Sequence, residues 1–291
     1  MKLSDFYEYV IRLGRERDPR GVKGVKAYPD TAVLYGSPEK EVRNILAGID
    51  IDTQELLLAD RLADARKVDL VLSHHPAGQA WASFYKVIPL QSVIWRGLGV
   101  EPAAVDGFLE ERMLEVSRKL LAQNHMRTVD AARLLDIPLM CAHTPADNHV
   151  HAFLQEKFDR EAPATVEKLL NMLSSLPEYA EAAGNSAGPR VIIGGPGRPC
   201  GKVFVDMTGG TEGPKQLFEK LASGGVGTVV SMHMSEEHFS RLRAGNVNVV
   251  VAGHISSDTL GMNLLLDGIE SLSDERFSFM ECSGFRRIRR I

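Results

Sequence analysis

The sequence predicts an α/β protein, two α/β units whose mixed, largely parallel sheets are flanked by helices. Three observations predict it. Short apolar runs rich in Val, Ile and Leu recur along the 291 residues. Segments with helical spacing lie between them. The runs 44–50 and 68–73 enclose one helix within about 30 residues, the length of a βαβ unit, which makes the two strands parallel with a right-handed crossover.

Taken in order, Ser4 is placed to cap a helix over 4–16 with Phe6, Val10, Ile11 and Leu13 on its apolar side. Pro19 and Gly21 break the pattern, and a loose stretch runs to about Pro38. Asn44–Asp50 is an apolar run ending in an acid, as a buried strand leaving a sheet does. Thr53 is placed to cap a helix over 54–66, with Leu57, Leu58, Ala63 and Ala65 on its buried face. A strand follows at 68–73. Residues 76–100 show no clear period, with Trp81, Phe84, Tyr85 and Trp95 among small residues. Helical patterns at 105–125 and 129–136 lead to a strand over 137–143, where Pro138 is tolerated near the start. Helices at 147–159 and 164–175 precede the linker-like Gly184–Pro189. A first domain is therefore drawn over 1–183 and a second over 184–291. In the second, strands at 190–194, 202–207, 226–231 and 247–252 alternate with helices at 214–222, 235–244 and from 256, before an irregular tail.

Composition narrows the function classes. A net charge of −4, with 44% apolar and 25% charged residues, is ordinary for a globular protein and argues against a polyanion as main partner. Cys141, Cys200 and Cys282 are odd in number and widely spaced, which disfavours a disulfide framework or a thiolate metal cage. No apolar run approaches the roughly 20 residues of a membrane helix. The N-terminal residues are charged too early for a signal peptide. These readings point to a reducing, cytoplasmic setting.

The sharpest motif is Ser73-His74-His75-Pro76, placed where a parallel strand runs into its loop. Ligand sites of open α/β sheets lie outside the carboxyl ends of strands. At a strand end the backbone can turn so that neighbouring imidazoles converge, and histidine is the commonest metal ligand. Two further groups occupy matching places: His143-Thr144 with Asp147, and Gly253-His254 with Asp258, where His254 and Asp258 share a helical face. Singly, each histidine also reads as a hydrogen-bonded core or loop residue, and each aspartate as a carboxylate at a helix N-terminus. Three such groups at strand ends together favour a divalent metal site.

Asp50, Asp69–Pro76, His143-Thr144 with Asp147, and Gly253-His254 with Asp258, in this order, resemble the NGG-interacting-factor-3 family, also known as GTP cyclohydrolase I type 2. The similarity spans roughly residues 30–290, and its strong motifs occupy about thirty positions. The resemblance implies a dinuclear centre held by His74, His75, Asp147, His254 and Asp258, with His143 close by as a catalytic candidate. It implies a metal-dependent hydrolase of GTP or a related nucleotide-like small molecule, and a homo-oligomer as large as a hexamer. Zn, Mn, Fe and Co all suit these donors. The alternative is a metal-binding regulatory or adaptor protein without turnover. The chain departs from the family at Asp258, where Glu is usual, in the long stretch between Pro76 and Ala142, and in its N-terminal helix.

Other features read more plainly. Gly194–Lys202 has the wrong spacing for a phosphate loop and reads as a turn. Thr208–Lys215 is a glycine-rich loop that opens a helix, read either as a phosphate cradle or as a strand–helix connection. Ser235 is placed to cap a helix with His238 at its third position, both His233 and His238 being solvated; the resemblance alternatively brings them towards the metal site. Arg286–Arg290 reads as a solvated basic end, and nucleic acid binding through it is disfavoured by the net charge.

Overall fold

The computed structural model describes residues 1–63 and 67–290. The predicted run of the second helix over 64–66, with the side chains of Ala63 and Ala65, lies outside the described residues.

The chain begins with α1 (Leu3–Glu16), β1 (Thr31–Tyr35), β2 (Asn44–Gly48), α2 (Thr53–Ala63), β3 (Leu70–Ser73), α3 (Gly78–Ala82), a 3-10 segment at Phe84–Leu90 and α4 (Gln91–Gly97). It continues with α5 (Pro102–Leu121), α6 (Arg127–Leu135), β4 (Leu139–Ala142), α7 (Thr144–Glu161), α8 (Val166–Ser174) and α9 (Pro177–Gly184). Then come β5 (Arg190–Ile193), β6 (Lys202–Asp206), α10 (Lys215–Phe218), β7 (Val226–Ser231), α11 (Glu236–Ala244), β8 (Asn248–Val251), α12 (His254–Ser273) and β9 (Ser278–Cys282).

Two compact units result. Unit 1 comprises 1–87, 115–149 and 261–291; unit 2 comprises 88–114 and 150–260. Gly184–Pro189, read from sequence as the joint between domains, connects α9 to β5 inside unit 2.

Unit 1 holds a five-stranded sheet in the order β1-β4-β3-β2-β9, with only β1 antiparallel to its neighbour. The expected βαβ unit is present, with Ile45 opposite Leu70 and Gly48 opposite Ser73 in parallel register. Alternation along the strands divides the core. Ile45, Ala47, Leu70, Leu72 and Met140 pack with Leu3, Phe6 and Val10 of α1 and with Leu265 and Ile269 of α12. Leu46, Val71 and Leu139 meet Leu56, Ala59 and Ala132 on the other side. Burial on both faces is why these strands read as continuous apolar runs. The edge strands β1 and β9 show mostly half-buried patterns and lie in segments expected to be loose or irregular.

Unit 2 holds a four-stranded sheet in the order β5-β8-β7-β6, with β5 antiparallel to β8 and the others parallel. The unreadable stretch 76–100 becomes two short helices around a 3-10 segment, each too brief to show a period. Trp95, at 1% exposure, packs its ring at 5.5 Å from Phe204 and 5.1 Å from Phe218.

Several local expectations are corrected. Ser4 does not cap α1; the backbone N–H groups of Leu3 and Ser4 donate to the carbonyls of Lys40 and Pro38, so that end is satisfied from a neighbouring loop. At α2 the cap moves to Asp52, whose Oδ1 accepts from Thr53 N while Glu55 returns to accept from Asp52 N. Leu57 and Leu58 are half-exposed, and Leu56 and Ala59 form the buried face instead. The helix expected over 214–222 shortens to α10. The arginine tail is pinned: Arg287 pairs with Asp267 and Glu270, and Arg289 with Glu270. Among the described residues no helix is long and apolar enough to cross a membrane.

Candidate metal centre

In unit 1 the carboxyl end of β3 makes the turn that the His-His motif needs. His74 N donates to Gly48 O and His75 N to Ile49 O, continuing the pairing with β2 past the last strand residue. Ser73 Oγ donates to His75 O at 2.7 Å and closes the turn. The two imidazoles therefore converge, with ring centroids 5.1 Å apart. From the neighbouring strand, His143 follows β4 and stacks on His74 at 4.7 Å. Asp147 sits one turn into α7, its Oδ1 at 3.4 Å from His74 Nε2 and its Oδ2 at 3.3 Å from His143 Nδ1.

Each imidazole has its Nδ1 against an oxygen: His74 on Ala142 O at 3.2 Å, His75 on Asp50 Oδ1 at 2.6 Å, His143 on Asp30 Oδ2 at 2.9 Å. Donation from Nδ1 selects the neutral tautomer whose lone pair is on Nε2, the arrangement that orients a metal-binding histidine. One ligand atom from each of His74, His75 and His143 lies within 4.8 Å of the others. His74, His143 and Asp147 are buried, whereas the His75 side chain is 27% exposed.

Two carboxylates set the charge around His143. Burial alone would lower the pKa of His143, but the charge of Asp147 and the hydrogen bond and charge of Asp30 outweigh it and raise the pKa. His74, His75 and His143 offer ligand atoms close enough together to hold a metal ion, with the buried Asp147 beside His74 and His143.

Unit 2 has its own group at strand ends. His254 opens α12 and Asp258 lies one turn on, with Nε2 and Oδ2 3.5 Å apart. His233, after β7, lies with its ring centroid 4.8 Å from that of His254. Burial, with Glu212 adding to it, pushes the Asp206 carboxyl up to about 7. Burial would also raise Glu212, but a hydrogen bond from His233, the charge of His238, the Ser235 N–H and the charge of His233 hold it at about 2. His238 is not solvated as expected: it is 4% exposed and its Nε2 meets Gly213 O at 2.8 Å. Ser235 does cap α11. The Thr208–Lys215 loop is a strand–helix connection, with the carbonyls of Gly209 and Thr211 accepting from Gln91.

Thus the structure brings His74, His75, His143 and Asp147 together in unit 1, and pairs His254 with Asp258 in unit 2. The sequence pattern did not single out Asp30, in the loose stretch before β1, or Asp206, the last residue of β6. An acid ending a strand was the available signal at Asp206, as it was at Asp50.

No family model and no curated protein matches the sequence. Solved structures do. The chain is 28% identical to a NIF3 superfamily protein from Sphaerobacter thermophilus, with a TM-score of 0.78 over 94% of this chain and 97% of that one. It matches reduced HcgD from Methanocaldococcus jannaschii at 15% identity and a TM-score of 0.60, covering 97% of each chain. A NIF3-related protein from Bacillus cereus matches at 13% identity and a TM-score of 0.51, covering 96% of each. The last two are likenesses of fold.

Proposed function

Since the chain has the fold of the NIF3 superfamily and carries the motifs of the NGG-interacting-factor-3 resemblance, we propose that it is a metal-dependent hydrolase acting on a nucleotide or related small molecule. The observation that supports this best is the set of three neighbouring imidazoles whose Nδ1 atoms are each tied to an oxygen, two of them facing the buried Asp147.

His74, His75, His143 and Asp147 would hold the ion in unit 1, and the sequence resemblance adds His254 and Asp258 as ligands. A divalent ion supplies Lewis acidity and makes water ionisable near neutral pH. The chain's own groups do the holding and orienting. Ala142 O, Asp50 and Asp30 fix the three rings. Phe84 sets its ring edge-on to His143 at 5.2 Å and shields that side from water. The reading extends to a cytoplasmic homo-oligomer, which sedimentation of the purified protein tests.

The decisive experiment pairs elemental analysis with hydrolysis of GTP, phosphodiesters and simple esters, with metal supplied. The wild type is expected to carry near-stoichiometric transition metal and to turn over a substrate. The His74→Ala/His143→Ala double variant is expected to lose both, and equal rates for the two proteins would overturn the proposal. A His254→Ala/Asp258→Asn variant separately reports how much of the metal those two residues hold. Bound metal without turnover across the panel would favour the regulatory alternative.

A further inference from the structure

Beside His75, unit 1 carries a cleft of about 430 Å³, within the usual size range of small-molecule sites. Five of its residues decide what it takes besides His75 itself: Trp81, Asp50, Asp52, Glu55 and Arg127. Trp81 and Arg127 come from the stretch that departs from the family pattern.

The indole of Trp81 is immobilised, its Nε1–H donated to Gln123 Oε1 at 2.8 Å and its ring 4.9 Å from Phe84. With the N–H engaged, what Trp81 offers a ligand is its π surface. The carboxylates are also held in place. Asp50 Oδ1 faces His75 Nδ1, Asp52 Oδ1 accepts from Thr128 Oγ1 at 2.9 Å, and Glu55 Oε2 accepts from Asp52 N at 2.9 Å. A carboxylate has about four acceptor positions, so these contacts fix Asp52 and Glu55 without exhausting them. Set against three carboxylates is one guanidinium, that of Arg127.

An aromatic face beside oriented carboxylates selects flat, N–H-bearing groups, which stack on the ring and donate to carboxylate oxygens in pairs. We infer that this cleft binds the organic part of the substrate, and that this part is a small planar N–H donor, an amidine, guanidine or amino-substituted ring, rather than a polyphosphate. The inference rests on the proposed hydrolase reading for the word substrate; binding in the cleft is measurable without turnover.

The probes are benzamidine, benzoate as its flat anionic counterpart, and inorganic triphosphate, titrated calorimetrically into the metal-loaded full chain. Benzamidine is expected to bind and benzoate not. Glu55→Gln should weaken benzamidine about tenfold, the effect of losing one charge-assisted hydrogen bond. Trp81→Leu should weaken it about threefold to tenfold, and Trp81→Phe, which keeps an aromatic face, should restore most of that loss. Arg127→Gln removes the competing cation and should tighten binding. Tighter binding of benzoate or triphosphate than of benzamidine, or benzamidine binding indifferent to both Trp81 and Glu55, would overturn the inference. The His74→Ala/His143→Ala variant separates the two readings: it should lose metal and turnover yet still bind benzamidine, so loss of turnover with binding intact condemns neither, while wild-type turnover without cleft binding condemns this one alone.

Discussion

Replacing Asp30 with asparagine keeps the volume of a fully buried side chain and removes its charge. Asp30 Oδ2 accepts from Thr144 Oγ1 at 2.6 Å and from Thr144 N, besides facing His143 Nδ1. The variant should stay folded, because an amide can make some of these bonds, but its grip on the His143 tautomer is weaker. Loss of such an orienting partner typically costs about 10–100-fold in metal affinity. Chelator competition is expected to show a fall of that size, and unchanged affinity would deny Asp30 this role. The residues gathered at the candidate centre were legible because a His-His pair at a strand end has few ordinary uses, whereas a single aspartate before a five-residue edge strand has many. A second residue-scale prediction concerns Glu270. Burial would raise its pKa, but hydrogen bonds from Arg289 and Phe277 N and the charges of Arg287 and Arg289 hold it at about 2, against 4.5 for a free glutamate. Because the folded value is the lower one, its contribution is complete above about pH 4.5 and is lost as pH falls towards 2. The shift corresponds to roughly 3 kcal/mol. Glu270→Ala leaves the Arg287 guanidinium, only 2% exposed, with Asp267 as its main counter-charge. A destabilisation of about 3 kcal/mol is expected, and it should shrink when denaturation is repeated near pH 2.5.

At the scale of elements, α1 shows how packing overrides propensity. Gly14 lies within the helix, where alanine would ordinarily gain about 1 kcal/mol. A Cβ at Gly14 would, however, stand 2.7 Å from Pro145 Cβ and 3.0 Å from Pro145 Cα, at the start of α7. Backbone and a proline ring do not yield cheaply, and overpacking of this kind costs about 1–3 kcal/mol. Gly14→Ala is therefore expected to lower stability by about 1 kcal/mol, measured by the denaturation midpoint; a rise would show that α7 can retreat. Asp147 lies two residues beyond Pro145, so the same variant should weaken metal binding as well. The helix itself was legible from its apolar spacing, but its tight approach to α7 was not, since a lone glycine in a helical pattern carries no sign of what it faces. The same limit explains β9. Central strands buried on both faces declare themselves as apolar runs, while an edge strand such as Ser278–Cys282 alternates too weakly to stand out from a tail.

On the scale of the whole chain, two sheets and their largely parallel order followed from the alternation of elements, while the assignment of segments to units did not. The boundaries of the units fall inside α5, α7 and α12 and within the 3-10 segment. Helical periodicity marks a buried face but says nothing about which core that face joins, so composition could point only to the glycine-rich stretch at 184–189. Metal linkage provides the whole-molecule test of the proposed function. An ion bound by the folded chain and not by the unfolded one stabilises by about 2.7 kcal/mol at a free concentration one hundred times its Kd. For a protein of this size, each kcal/mol moves Tm by about 2–4 °C. Stripping the protein with a chelator should therefore lower Tm by about 5–10 °C, and returning zinc, manganese, iron or cobalt singly should restore it to different extents that rank the metals. The His74→Ala/His143→Ala variant should melt at one temperature whether or not metal is present. If the wild type also ignores the chelator, then the gathered imidazoles serve packing and hydrogen bonding alone, and the case for metal chemistry in unit 1 fails with them.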